Sequence, residues 1–194
     1  MHKGRLEAFS DGVIAIIITI MVLELKVPHG AALNDLQALI PVFVSYALSF
    51  IYVGIYWNNH HHLFQAVEKV SGAVLWSNLH LLFWLSLVPF GSAWMGENHF
   101  APMPVTLYGV ILLMCGVAYY ILSRNLIALH GQKSKLARAI GGDAKGIWSL
   151  VLYLVAIVVS FFSSWVAYGL YVAVAVIWLV PDQRIEKNLK NTQG

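Results

Sequence analysis

The sequence predicts an all-α integral membrane protein with six transmembrane helices in each subunit. Hydrophobic residues make up 59% of the 194 residues and charged residues only 11%, whereas soluble domains are about one quarter charged. The mean hydropathy is +0.72, and apolar runs of about 20 residues, the length that crosses a bilayer as a helix, recur along the chain. We therefore expect residues 1–194 to form a single transmembrane domain.

The first span is predicted at about residues 6–26. At about 100° per residue, one face of this helix carries an apolar stripe made of Phe9, Gly12, Ile16, Ile20 and Leu23. Asp11 lies about 140° from Ile16 on the same helix, and an ionisable residue at the edge of a span is costly enough to suggest a function. The pattern favours a pore-lining helix whose stripe faces a pore and whose acid fastens it to its neighbours.

The next three spans are predicted at about residues 36–60, 72–95 and 103–124. A polar connector then runs from about Arg124 to Lys145. Residues 146–181 contain no Asp, Glu, Lys or Arg, and as one helix they would be about 54 Å long. That length predicts two spans, at about 146–164 and 167–181, followed by a tail at 182–194; one long tilted helix, and five spans in all, is the alternative.

The distribution of basic residues favours six spans. With six spans, all but one of the 12 Lys and Arg residues lie on the side of the N-terminus, and only Lys26 lies on the other side. The positive-inside rule then predicts a multi-pass protein of the cell membrane with both termini in the cytoplasm. The net charge of +3 follows from this topology and does not indicate binding of nucleic acid.

A motif in the first span resembles the signature of a known family. The pattern Arg-x-x-x-Phe-Ser-Asp, formed by Arg5, Phe9, Ser10 and Asp11, is similar to that of the transmembrane protein 175 family of potassium channels. The likeness extends through Thr19, residues 57–64, residues 75–79 and Pro89. The resemblance implies a passive potassium channel without cofactor or enzyme activity, in which the first helices of a single-repeat homotetramer line the pore within the lipid bilayer.

The resemblance also implies a hydrophobic selectivity filter. Ile16 occupies the position of the narrowest isoleucine, with Ile20 and Leu23 one or two turns further along, and a hydrophobic constriction can gate by dewetting. Thr19 could coordinate potassium in part or bond the backbone of its own helix. Without the resemblance, an Ile and Leu stripe more often faces lipid or a neighbouring helix.

Arg5 and Asp11 lie about 120° apart around the helix and need separate partners. We expect His60 and Asn78, on the next two spans, to satisfy Asp11 together with Ser10 and so to hold the pore helix in position. The run His60-His61-His62 with His80 suggests a metal site. Adjacent helical positions point about 100° apart, however, so the sequence predicts no metal.

The loops at the outer end of the first helix carry acidic residues. Glu24, Asp35 and Glu97, together with Lys26, could form a mouth that attracts cations or could be a solvated loop. Two rival functions remain for the whole chain. One is a proton-coupled secondary transporter that uses Asp11 and His60, which the missing inverted repeat disfavours; the other is a scaffold without transport.

Overall fold

The structure, a computed structural model, describes residues 3–132, 134, 136, 137 and 143–179. Its helices are α1 (Lys3–Leu23), α2 (Leu33–Gln37), α3 (Ile40–Gln65), α4 (Gly72–Ser86), α5 (Val88–Glu97), α6 (Pro102–His130), α7 (Ala144–Ser160) and α8 (Ser164–Leu179). Over the described residues all regular structure is helical, which confirms the predicted fold class. The predicted tail at 182–194 lies outside this part of the chain, as do the basic residues Lys133, Lys135, Arg138, Arg184, Lys187 and Lys190.

Four helical stretches are long and apolar enough to cross a membrane. They are α1 with 21 residues, α3 with 26, the stretch that α4 and α5 form together with 26, and α6 with 29. Helices α7 and α8 have 17 and 16 residues, about 25 Å each, which is shorter than the roughly 30 Å hydrocarbon core. The four long helices confirm that this is a membrane protein. That α7 and α8 also cross the membrane stays a prediction.

The long uncharged run is divided into α7 and α8 by a turn at residues 161–163. A second interruption, not predicted from the sequence, separates α4 from α5 at Leu87. Pro89 lies in the first turn of α5, and because proline has no N–H and clashes with the preceding turn, a helix commonly breaks just before it. At this break the amide of Leu87 donates to the carbonyl of Trp84, three residues earlier (3.2 Å), and not to the residue four positions earlier as in a regular α-helix.

Helix α6 lies at the centre of the bundle, where it packs against α4, α5, α7 and α8, while α1 packs on the outside against α3, α4 and α5. The core contains the buried rings of Tyr52, Tyr108 and Tyr171. Their hydroxyls are all hydrogen-bonded: Tyr52 donates to the Tyr171 carbonyl (2.6 Å) and Tyr171 to the Val105 carbonyl (3.2 Å). Tyr108 shares a bond of 2.9 Å with Ser49. Paired polar groups of this kind are tolerated in an apolar interior.

The candidate pore helix and its supporting network

Helix α1 has one buried face. Its buried residues are Leu6, Ser10, Ile14, Ile17 and Met21. They recur every three or four residues, so they form a single stripe, and this stripe meets α3, α4 and α5. Val13 and Ile18 are half-buried beside this stripe, and a wide arc of the remaining helix surface is left uncovered by the described part of the chain.

The predicted apolar stripe lies on this uncovered arc. Phe9 is 52% exposed, Ile16 59%, Ile20 43% and Leu23 75%, and Gly12 is exposed between them. A single subunit therefore presents the stripe outward, towards lipid or towards other subunits. Thr19 lies on the same arc, and its hydroxyl donates to the Ala15 carbonyl (2.9 Å), which satisfies the hydroxyl proton and leaves the oxygen lone pairs available.

Three buried polar side chains connect α1 to α3 and α4. The Asn78 amide donates to the Ser10 hydroxyl oxygen (2.9 Å), and the Ser10 hydroxyl donates to the Leu6 carbonyl (2.8 Å). The other end of the amide, Oδ1 of Asn78, lies 2.8 Å from Nε2 of His60. Since this oxygen can only accept, Nε2 of His60 carries the proton. The structure thus brings Ser10, His60 and Asn78 together.

Asp11 is not a member of this network, which corrects its predicted partnership with His60 and Asn78. Its carboxylate accepts a hydrogen bond from the indole N–H of Trp57 on α3 (3.0 Å), and both side chains are exposed. The physical reason is the helical rotation of about 100° per residue, which places Ser10 in the buried stripe and Asp11 on its flank. Arg5 is also exposed, so two ionisable residues of the motif lie on the open surface of α1.

Among the described residues, the four histidines considered as a metal site, His60, His61, His62 and His80, do not converge on one point. The ring of His61 stacks on Trp57, with 6.2 Å between centroids, and bonds Gln65 (2.7 Å). His80 accepts a hydrogen bond from the Trp84 indole (3.0 Å). Of this set, only His60 joins the network that supports α1, so the described geometry provides no common centre for the four imidazoles.

At the outer end of α1 the acidic residues differ in their partners. Lys26 forms an ion pair with Glu97, at the end of α5, and the hydrogen bond to Glu97 and its charge raise the pKa of Lys26. The Asp35 carboxylate accepts from the Ala32 amide (3.0 Å). Glu24 is exposed. The contact between Lys26 and Glu97 therefore links the loop after α1 to α5 and offsets one negative charge of the expected mouth.

Two residues that hold α1 were not predicted from the sequence to do so. Lys3 donates from Nζ to the Phe64 carbonyl (3.0 Å), in the last turn of α3, where a cation also complements the helix dipole. Trp57, described above, is the other. Trp57 belongs to residues 57–64, one of the segments in which the sequence resembles the family, and this resemblance was a signal that Trp57 has a role. For Lys3 the only signal was its charge.

Comparisons with known proteins agree with one another. The family model described as "Endosomal/lysosomal potassium channel TMEM175" matches residues 5–89. A potassium channel of Chryseobacterium sp. is 58% identical over 190 residues, which cover 98% of this chain and 99% of the relative. The crystal structure of a lysosomal potassium-selective channel TMEM175 homolog from Chamaesiphon minutus superposes with a TM-score of 0.81 at 31% identity, over 91% of this chain and 96% of the other.

A vertebrate relative shares a smaller part of its length. The endosomal/lysosomal proton channel TMEM175 of Gallus gallus is 30% identical over 132 residues, which cover 62% of this chain and 26% of the chicken protein.

Proposed function

This chain belongs to the TMEM175 family of ion channels, and we propose that it conducts potassium passively through a pore lined by α1. The observation that carries this proposal is the composition of the uncovered arc of α1. The arc combines the apolar stripe with Arg5, Asp11, Gly12 and Thr19, all exposed. A helix that faced only lipid would not carry two ionisable residues there, since such residues usually face a bundle interior or a water-filled cavity.

The pore requires several copies of the chain. In one subunit α1 lies at the periphery, and its larger interfaces within the described part of the chain are with α3, α4 and α5. Its open arc can therefore be covered by the α1 helices of other subunits. Head-to-tail contacts between identical subunits close into rings. We propose a homotetramer, with Ile16, Ile20 and Leu23 of each subunit facing the axis and Asp11 and Trp57 near the contact between subunits.

Selection of potassium would occur at a ring of isoleucine side chains. An apolar ring offers no carbonyl oxygens to replace the hydration shell, so an ion must lose water to pass, and potassium loses water at a lower cost than sodium. Thr19, one turn from Ile16 and next to Ile20, offers hydroxyl lone pairs between these positions. This mechanism predicts a modest preference for potassium. Proton conduction is a second candidate, since vertebrate relatives are named proton channels.

In the proposed topology the protein is a multi-pass component of the cell membrane with both termini in the cytoplasm. Support comes from the basic residues Lys3, Lys69, Arg124 and Lys145, which lie at the same end of the helices, and from Lys26 at the other end.

A flux assay tests the function directly. The purified chain is reconstituted into liposomes, and ion entry is followed under a potassium gradient, a matched sodium gradient and a proton gradient, with empty liposomes as the blank. Electrogenic potassium flux that needs no second ion is expected. Absence of flux for every ion would reject the channel, and flux that requires a proton gradient would favour the transporter.

The substitution Ile16→Asn tests the constriction. An amide at the narrowest ring would hold water and lower the cost of ion entry, so we expect sodium flux to rise relative to potassium flux. The matched control is Ile121→Asn, the same change at an isoleucine of α6 that is 37% exposed. If the Ile16→Asn channel assembles and its selectivity is unchanged, the filter does not lie at this residue.

The transporter alternative has little geometric support. It needs Asp11 and His60 to exchange a proton, yet Asp11 is bonded to Trp57 and His60 to Asn78. The substitution Asp11→Asn distinguishes a transporter from a channel. In a transporter the variant would still fold, but ion movement would no longer be coupled to proton movement. In the channel it should lower assembly or stability and leave the surviving flux independent of protons.

A further inference from the structure

The connector between α3 and α4 is held by one imidazole at the end of α6. Nε2 of His130 accepts hydrogen bonds from the backbone amides of Glu68 (3.2 Å) and Lys69 (3.3 Å), and Nδ1 lies 2.9 Å from the Leu126 carbonyl oxygen. A carbonyl can only accept, so Nδ1 carries the proton and the lone pair of Nε2 faces the two amides. These three contacts therefore fit the neutral ring, in one of its two tautomers.

A proton on Nε2 of His130 would remove the acceptor of both amide bonds. The charged imidazole is a donor at each nitrogen, so its Nε2–H group would point at two other N–H groups. Histidine is the side chain whose charge ordinarily changes between about pH 5 and 8. The last carbonyls of α6 attract a cation, but they do so whether or not the connector is bound, so they do not change the direction of the effect. The contact requires the neutral ring and is therefore lost as the pH falls.

The described elements beside the end of α6 offer no carboxylate that would compensate a charge on this ring. None of the carboxylates in the described part of the chain forms an ion pair with His130. In the bound connector, a proton on Nε2 would therefore lose two hydrogen bonds without gaining an ionic partner there. The charged and titratable groups nearest to this end are Glu68 and Lys69 in the connector, His80 on α4, Arg124 on α6, and Asp143 and Lys145 at the start of α7.

We propose that His130 is a pH-sensitive switch, which fastens the connector between α3 and α4 to the end of α6 at neutral pH and releases it in acid. The connector joins the two helices that hold α1, since Lys3 donates to the Phe64 carbonyl at the end of α3 and Asn78 on α4 donates to Ser10. Its release would therefore loosen the support of α1 from the end of the bundle that we place in the cytoplasm. The inference concerns the connector alone and does not depend on ion conduction.

Hydrogen–deuterium exchange of the purified full-length chain in detergent tests the proposal. Exchange is measured by mass spectrometry at about pH 8 and about pH 5, the limits of the range in which histidine changes charge, with fragmentation that resolves Glu68 and Lys69. Each rate is compared with the intrinsic exchange rate at the same pH, which gives a protection factor. We expect the protection of both amides to fall about tenfold in acid, since two ordinary hydrogen bonds correspond to about that factor. The amide of Leu112, a buried residue of α6, should stay protected.

Three variants identify the group that titrates. In His130→Gln the side-chain amide oxygen can accept from the connector at either pH, so the protection of Glu68 and Lys69 should become independent of pH. In His130→Ala the acceptor is missing, and the protection of both amides should be low at both pH values. The matched control is His61→Gln, because His61 is an exposed histidine near the end of α3 whose ring bonds Gln65; it should keep the pH dependence of the unmodified chain.

Several outcomes would overturn the proposal. Equal protection of the connector at the two pH values would do so, and an equal loss at Leu112 would show that the whole bundle opens in acid. Persistence of the pH dependence in His130→Gln would mean that another group titrates. If His130→Gln does not fold, His130→Ala decides, since unchanged protection in this variant would show that the imidazole does not hold the connector. Exchange is measured without ion flux, so failure here and failure of the proposed channel are distinguishable.

Discussion

The rotation between two adjacent residues, Ser10 and Asp11, decides how α1 is held. Ser10 is fully buried and bonds Asn78, while Asp11 is exposed and bonds Trp57. The motif therefore fastens α1 at two places, one inside the subunit and one on its surface. The inner contact fixes the helix against α4, and the outer contact connects it to α3 on the arc that we propose for the subunit interface.

Asn78→Leu should destabilise the subunit. The change removes the amide that joins Ser10 and His60, leaving two buried polar side chains without this partner. Interhelical hydrogen bonds in membranes contribute about 0.6 kcal/mol on average and up to about 1.7 kcal/mol, so we expect a loss of about 1–3 kcal/mol for the two bonds. Unfolding in mixed micelles measures it, with Asn58→Leu, at an exposed asparagine of α3, as the control. Equal stability of the two variants would contradict a structural role for the network.

Trp57→Phe should lower the thermal stability of the assembled protein by several degrees. Phenylalanine keeps the ring but cannot donate to the Asp11 carboxylate, and a carboxylate without a hydrogen-bond donor near the membrane is costly. The control is Trp76→Phe, at an exposed tryptophan of α4. Melting followed by size-exclusion fluorescence compares the two. A larger loss in Trp76→Phe would show that the bond between Trp57 and Asp11 contributes little.

At the scale of the helices, small residues set how closely α3 and α5 approach. A Cβ built at Gly96 would lie 2.7 Å from the Cα of Val42 and 2.5 Å from the Ser45 hydroxyl oxygen. The backbone of α3 cannot rotate away as a side chain could. Glycine at this position therefore lets the two helices pack at short distance, as small residues commonly do in membrane proteins.

Gly96→Ala should consequently separate the end of α5 from the start of α3 and cost about 1–3 kcal/mol, the usual range for overpacking. Because Glu97 follows directly and pairs with Lys26, the outer loop after α1 should move as well. Gly54→Ala on α3 is the control, since nothing lies within 4 Å of its Cβ position and alanine favours a helix. Unfolding midpoints that are equal in the two variants would contradict this packing.

The helices were predicted from the composition and the length of the apolar runs. The division of the uncharged run into two helices followed from its length, because a helix rises 1.5 Å per residue. The break at Leu87 was not predicted from the sequence, although Pro89 follows two residues later. A proline can kink, end or continue a membrane helix depending on whether neighbouring groups satisfy the freed carbonyl, and those neighbours belong to the tertiary structure.

At the scale of the whole molecule, the proposed pore lies between subunits. Within one subunit the predicted filter residues are among the more exposed apolar side chains of α1. The proposed constriction would therefore form only in the proposed assembly, and its diameter would depend on the angle at which α1 leaves its contacts with α3, α4 and α5.

Disulfide crosslinking tests this assembly. In a Cys115→Ser background, which removes the single and buried cysteine, Ile20→Cys should form covalent dimers with mild oxidant, because a disulfide requires Cα atoms within about 7 Å. Val158→Cys on α7, 60% exposed, is the control and should stay monomeric on a non-reducing gel. Native mass spectrometry of the unmodified chain should give four copies. A monomer, or equal crosslinking at both positions, would reject a ring of α1 helices.

The sequence by itself determined the class of the protein and its resemblance to the family, since these depend on composition, length and spacing along the chain. The family model likewise matches residues 5–89, the region in which the sequence motifs were found. Beyond about residue 95 the sequence resembles the family only in its hydropathy, because many different apolar sequences pack equally well in a bilayer.

Only the tertiary structure decided which polar residues meet. The sequence placed Ser10, Asp11, His60 and Asn78 at similar depth, but depth does not fix rotation about a helix axis. The partner of Asp11 became clear only when packing of α1 against α3, α4 and α5 fixed that rotation.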